Sequence, residues 1–279
     1  MDKKMIFLDI DGTILTPGEG IRQTVKDGLA GARKRGHLVF ISTGRSVCIL
    51  PKELEDVELD GVVASAGSDI WIHGRNIYRT SLEQERTERV CRILGNMDMI
   101  YMLEGFEKIY VSEKGERILD GSMAVPDDNP ELIRWKTFLR RRKNVNGMKE
   151  WRQDQAPIPK VSFMTWSRVE AEKMHHLWEE EFHVAFFPNR TEQFFNGELI
   201  SRTADKGTAI LRTAEYLGLD LRNTVAFGDS MNDCQMIVQA ACGVVMGNGD
   251  DRLKQIADRV CESVEQDGVI RELERMGIL

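Results

Sequence analysis

The sequence predicts an α/β fold: a Rossmann-like parallel sheet core carrying an inserted α+β domain. Three observations predict it. Three separated apolar runs, MIFLDIDGT (5–13), LVFISTGR (38–45) and TVAFGDSMND (224–233), each end abruptly in Asp, Thr or Gly. That is where an open parallel sheet places its reacting groups, at the carboxyl ends of buried strands. Strand and helix periodicities alternate over the first eighty residues and again over the last ninety, as right-handed crossovers require. Between them, from about Ser81 to Pro188, the texture changes: Pro126, Pro130, Pro157 and Pro159 punctuate it, and Trp135, Trp151, Trp166 and Trp178 fall within it.

In chain order, the patterns predict a strand at 5–9, a helix at 21–35, a strand at 38–42, a helix at 46–55 and a strand at 61–65. DIWIH and NIYRT then alternate apolar and polar residues around Gly74-Arg75, predicting a hairpin at the exit from the core. The insert should contain helices near 83–97, 130–143 and 168–181, and strands at 108–112, 160–166 and 183–188. After it come a helix at 204–217 closed by Gly218, a strand at 223–228, a helix at 231–240, a strand at 242–246, a helix at 250–256 and a last helix at 267–276. The expected division is therefore a discontinuous core, 1–80 with 189–279, and an inserted domain, 81–188.

The 279 residues, 42% of them hydrophobic, suffice for two packed domains. A net charge of -7 leaves no broad basic face for nucleic acid. Cys48, Cys91, Cys234, Cys242 and Cys261 are odd in number and lack CxxC spacing, which reads as reduced thiols. The chain runs from Met1-Asp2-Lys3-Lys4 straight into a short strand, and no apolar stretch approaches the roughly 18 residues of a membrane helix. The expectation is a soluble, cytoplasmic protein, monomeric or weakly self-associating, with no nucleic-acid or membrane partner.

Asp9 and Asp11 close a burial-prone strand, where ionised carboxylates are costly unless a cation or hydrogen bonds compensate them. Gly12 lets the chain turn directly after the pair, and Thr13 adds a hydroxyl. Asp229 and Asp233 lie four apart at a helix start, on one side. With Asp9 they form an oxygen-only set suited to Mg²⁺. Ser42-Thr43-Gly44-Arg45 offers hydroxyls and N–H groups at a helix start, an anion-binding arrangement, and Lys206 opens the helix of ADKGTAI with a fixed positive charge. Each motif taken singly has a plainer reading as a turn, a cap or a solvated lysine. The basic run KTFLRRRK (136–143) reads as the solvated face of a helix, His175, His176 and His183 lack ligand spacing, and the aromatics of the insert read as its core.

The ordered set DxDGT, STGR, DKG and GDxxND resembles the four signature motifs of the haloacid dehalogenase superfamily of aspartate-dependent phosphohydrolases. MGNGDDRLKQIADRV (246–260) and EQDGVIREL (265–273) are similar to the tail of its Cof-like sugar phosphatase branch, and the long gap between Thr43 and Lys206 matches that branch's large cap, inserted between the second and third motifs. The resemblance implies that Asp9 is the nucleophile and Asp11 the general acid and base. It implies that Asp9, the Asp11 carbonyl, Asp229 and Asp233 bind Mg²⁺, and that Ile10, Thr43, Gly44, Lys206 and Asn232 hold the phosphoryl group. The implied activity is Mg²⁺-dependent hydrolysis of small phosphorylated metabolites, sugar phosphates or phosphorylated cofactors, through an aspartyl-phosphate. A phosphomutase or phosphotransferase using the same intermediate, and a low-turnover phosphate-binding regulatory domain, are the alternatives. One departure stands out: Ala66-Gly67 occupies a loop where the branch commonly has Asn-Gly.

Overall fold

Met5–Leu8 is buried along its whole length, because its alternate side chains enter two different apolar layers. Ile6 and Leu8 pack with Val25, Leu29, Val39, Ile41, Val269 and Leu273 on one face of the sheet. Met5 and Phe7 pack with Phe40, Ala209, Ile210, Met236 and Ile237 on the other. Double-sided burial explains why the core strands read as unbroken apolar runs rather than alternating ones. A computed structural model describes residues 3–16, 18–124, 130–140, 142–187 and 194–279. They form two compact units, Met1–Arg79 with Ala204–Leu279, and Thr80–Thr203.

The first unit carries an eight-stranded sheet in the order Arg259–Val260, Cys242–Val245, Thr224–Gly228, Met5–Leu8, Leu38–Ser42, Gly61–Ala64, Asp69–Ile72, Arg75–Arg79. The first six strands are parallel and the last two antiparallel. Met5–Leu8 lies between Leu38–Ser42 and Thr224–Gly228, so the chain leaves it on one side and returns on the other. This is the topological switch point, where such sheets open a crevice at their carboxyl edge. Helices Gln23–Lys34, Lys206–Leu217, Cys234–Gln239 and Gly268–Arg275 lie at their expected places.

Three expectations for this unit are corrected. The helix at 46–55 is replaced by two short 3₁₀ turns, Val47–Ile49 and Lys52–Leu54. Pro51 between them lacks an N–H and disfavours helical backbone in the residue before it. The hairpin turns at His73-Gly74 rather than Gly74-Arg75; both have positive φ, 47° and 76°, the type I′ geometry that matches strand twist. The segment 231–240 begins as a 3₁₀ turn, Met231–Asp233, and becomes α-helical only at Cys234.

The second unit has a six-stranded, mainly antiparallel sheet: Val145–Gly147, Ile109–Val111, Ile100–Glu104, Lys160–Thr165, Phe195–Ser201, Phe182–Phe187. Helices Gln84–Asn96, Pro130–Arg140 and Arg168–Trp178 match the expected ones. Glu113–Leu119, Met148–Asp154 and the strands Ile100–Glu104, Val145–Gly147 and Phe195–Ser201 were not foreseen. The last of these matters for the boundary. Phe195–Ser201 pairs with both Lys160–Thr165 and Phe182–Phe187, so residues expected to rejoin the core at 189 belong, from 194 to 203, to the inserted unit. Of the basic run, Arg140 donates to the Leu119 carbonyl, closing the end of a neighbouring helix. No helix among the described residues is long and apolar enough to cross a membrane.

Candidate active site

Three parallel neighbours, Leu38–Ser42, Met5–Leu8 and Thr224–Gly228, bring Thr43, Asp9 and Asp229 to one edge of the sheet. Asp9 donates its N–H to the Phe227 carbonyl at 3.0 Å, which extends the ladder one step into the loop. The next five residues wrap around one acceptor: the Thr13, Ile14 and Leu15 amides all point to the Ile10 carbonyl. Ile10 itself is fully buried in the apolar layer, so only its main chain is available to a ligand. Gly12 has φ 79°, and a Cβ there would overlap the Asp229 carboxylate. Glycine is required on both grounds.

Lys206 is fixed by its helix. Asp205 caps that helix by accepting from the Gly207 and Thr208 amides at 2.7 and 2.8 Å. The Lys206 ammonium is buried and lies 2.6 Å from Asp9 Oδ1 and 2.6 Å from Asp233 Oδ1. The other Asp233 oxygen accepts from the Asp229 and Ser230 amides at 3.0 and 3.1 Å, which tightens the turn that aims Asp229. A Cβ on Gly228 would strike Asp233, so this strand end also needs glycine.

Asp9, Asp229 and Asp233 each place a carboxylate oxygen within 4.8 Å of the others. Burial raises Asp9 to about 7; Lys206 opposes this and Asp233 adds to it. Burial raises Asp229 to about 8, reinforced by Asp9 and Asp233. Lys206 is held above its ordinary value, because the attraction of Asp233 and Asp9 outweighs its own burial. One ammonium thus faces three carboxylates, and the cluster resists carrying their full charge. Oxygen-only donors at this separation fit a hard divalent cation.

The remaining expected residues divide. Thr43 is buried, with its amide on the Val63 carbonyl and its hydroxyl accepting from the Arg45 amide at 3.2 Å. Gly44 follows it in the same loop. Asn232 accepts from the Ser230 hydroxyl at 2.8 Å. Asp11 does not join the acidic trio in the described geometry: Arg45 grips its carboxylate with Nε at 2.8 Å and Nη2 at 2.7 Å. Sequence reasoning gave Arg45 only an anion-loop place and passed over Asn248, whose amide donates to the Gly12 carbonyl at 2.8 Å and accepts from the Val264 amide. The loop bearing Ala66 holds Ser65, Ala66 and Gly67 all at positive φ, 48°, 53° and 98°. A second trio, His175, His176 and Glu179, lies exposed on one helix of the inserted unit.

A parallel sheet that presents a lysine-braced acidic cluster at its switch point is the scaffold of an α/β enzyme handling phosphoryl groups or metal. Comparison with known proteins narrows this class. The chain belongs to the haloacid dehalogenase-like hydrolase family, whose sequence profile matches residues 6–273. It is similar to the putative phosphatase YkrA of Bacillus subtilis, 27% identical with all of both chains covered. It is equally 27% identical to the 5-amino-6-(5-phospho-D-ribitylamino)uracil phosphatase YitU of the same organism, over 96% of each chain. A solved sugar phosphatase of haloacid dehalogenase subclass IIB superposes with a TM-score of 0.80 at 21% identity, over 99% of this chain and 100% of that one. The fold class, the family expected from the four motifs, and the Cof-like branch expected from the tail segments and the place of the insert agree with these findings.

Proposed function

We propose that this enzyme is a Mg²⁺-dependent phosphatase of small phosphorylated metabolites, sugar phosphates or phosphorylated cofactors, working through an aspartyl-phosphate on Asp9. The observation that carries the reading is the buried Asp9 carboxylate, held by Lys206 at 2.6 Å within a cluster of two further aspartates. Phosphatase names among relatives that match end to end support it.

Asp9 attacks phosphorus; the bond from phosphorus to the alcohol oxygen breaks, and that oxygen takes a proton from Asp11. Water then attacks the aspartyl-phosphate, Asp11 accepts its proton, and inorganic phosphate leaves with Asp9 restored. Before it can act, the Asp11 carboxyl must leave the Arg45 guanidinium. Lys206 fixes the attacking oxygen and offsets charge on the phosphoryl group, whose other oxygens the main chain at Ile10 and Gly44, with Thr43 and Asn232, would hold. The Asp9 and Asp229 carboxylates, the Asp11 carbonyl and Asp233 would hold Mg²⁺, which when bound neutralises phosphoryl charge. The inserted unit is the cap that selects the alcohol portion. Phosphate release from a panel of about a hundred esters, with and without Mg²⁺, tests the reading. Metal-dependent release from several small esters supports it, and isomerised ester without free phosphate would overturn it in favour of a mutase.

A further inference from the structure

Directly after the strand Gly61–Ala64, the first unit runs through consecutive residues in left-handed backbone: Ser65, Ala66 and Gly67 have φ 48°, 53° and 98°. Glycine takes that conformation freely, but serine and alanine are disfavoured in it, because their Cβ crowds the following carbonyl. Ser65 and Ala66 are also buried, at 0% and 4% exposure, so this is no loosely held surface turn. Backbone outliers of this kind persist only where their surroundings over-determine them, and they gather at functional sites.

Contacts to two neighbours over-determine it. The Ser65 amide donates to the Arg45 carbonyl at 2.8 Å and the Ala66 amide to the Thr43 carbonyl at 2.9 Å, while the Ser65 hydroxyl donates to that of Ser46 at 3.3 Å. In a planar trans peptide the C=O and N–H point opposite ways. Fixing the Thr43 carbonyl therefore fixes the direction of the Gly44 N–H, and fixing the Arg45 carbonyl does the same for Ser46. Gly67 meets the lysine helix: a Cβ there would lie 2.2 Å from the Asp205 carbonyl oxygen and 3.1 Å from its amide nitrogen. Asp205 is the cap from which that helix starts, one residue before Lys206.

We propose that Ser65-Ala66-Gly67 is the positioning segment of the phosphoryl site, locking the Thr43–Arg45 loop at a set distance from Lys206 through its left-handed backbone. This deepens the phosphatase reading and rests on it, since Thr43, the Gly44 N–H and Lys206 are the groups which that reading gives to the phosphoryl oxygens. A right-handed or extended backbone at 65 and 66 would turn both amides away from the Arg45 and Thr43 carbonyls, and a side chain at 67 would displace Asp205. Either change moves the donors relative to Lys206, and a shift of about 1 Å at such a site can cost about a hundredfold. Asp9 and Asp229 follow other strands, Met5–Leu8 and Thr224–Gly228, so the effect falls on phosphate rather than on metal.

The test uses three variants of the full chain. Ala66→Val puts a β-branched side chain where φ is positive, which it avoids, Gly67→Ala brings a methyl against Asp205, and Ala66→Gly keeps the backbone while removing a methyl. Each is compared with the unaltered protein, at a temperature where circular dichroism shows it folded, for the inhibition constant of inorganic phosphate, kcat and KM on p-nitrophenyl phosphate, and half-saturating Mg²⁺. Ala66→Val and Gly67→Ala are expected to weaken inorganic phosphate about tenfold or more, with kcat/KM falling alongside and half-saturating Mg²⁺ within about threefold. Ala66→Gly is expected to stay within about twofold throughout. A purely structural segment would lower the melting temperature and leave the inhibition constant of the folded variants unmoved, which overturns the proposal. Equal losses of phosphate and Mg²⁺ overturn it too, as does an Ala66→Gly variant as impaired as Ala66→Val. Should one disruptive variant not fold, the other decides; if neither folds while Ala66→Gly does, the segment serves folding alone and the proposal falls. No phosphate release by the unaltered protein would overturn the phosphatase reading itself, whereas release with an unmoved inhibition constant overturns this inference alone.

Discussion

Replacing Lys206 with methionine keeps an unbranched side chain, one atom shorter, and deletes its charge. The ammonium touches Asp9 and Asp233, both at 2.6 Å, and all three groups are buried. Removing one member of a buried ion pair costs about 3–5 kcal/mol, because the partner is left charged and uncompensated. In a unit of this size that is a fall in melting temperature of about 6–20 °C. The sign with pH follows from linkage. Asp9 and Asp229 are already raised to about 7 and about 8, so the folded chain binds more protons than the unfolded one above the ordinary 3.8. Without Lys206 the lowering influence on both disappears, and the loss of stability grows as pH rises towards 8. Urea unfolding of the metal-free protein and its Lys206→Met variant, at pH 5.5 and 8, reads this directly. A difference below about 1 kcal/mol, or one equal at the two pH values, refutes the buried-charge reasoning. Turnover should fall by about a hundredfold or more, as when a preorganised group at a developing charge is removed.

Two further predictions concern the same cluster. Gly12→Ala forces a left-handed backbone onto alanine and drives its methyl into Asp229; Mg²⁺ should no longer raise its melting temperature, and an unchanged Mg²⁺ response would show that Asp229 is not a ligand. In the unaltered protein treated with chelator, melting temperature should fall between pH 5 and pH 8 as Asp9 and Asp229 are forced to ionise, and added Mg²⁺ should restore more at pH 8 than at pH 5. A metal response equal at both pH values would contradict the raised carboxylates.

The core was legible because its strands are buried on both faces and end in chemically loud residues, and all three strand ends carrying Asp9, Thr43 and Asp229 are adjacent. What stayed hidden depends on partners distant in sequence. Asn248 reaches Gly12 across 236 positions: its segment, MGNGDD, resembles the family tail, but only the fold shows that its amide meets the Gly12 carbonyl. Arg45 was placed in an anion loop by its neighbours, yet its fork meets Asp11. Phe195–Ser201 contains Asn196, Gly197 and Glu198, so its pattern did not look like a central strand until its register with Lys160–Thr165 gave Glu198 a buried lysine. Pro51 could have warned against the helix at 46–55, and a positive-φ His before Gly74 is a turn choice that propensity alone does not single out.

The central claim is that Asp9 carries the phosphoryl group, and acid-quenching the enzyme during turnover of a radiolabelled phosphate ester tests it most directly. The account predicts label on the peptide containing Asp9, removable by hydroxylamine, and none in Asp9→Asn, which should still fold while its hydrolysis falls by orders of magnitude. Near-normal hydrolysis by Asp9→Asn, or label held at another residue, would contradict it.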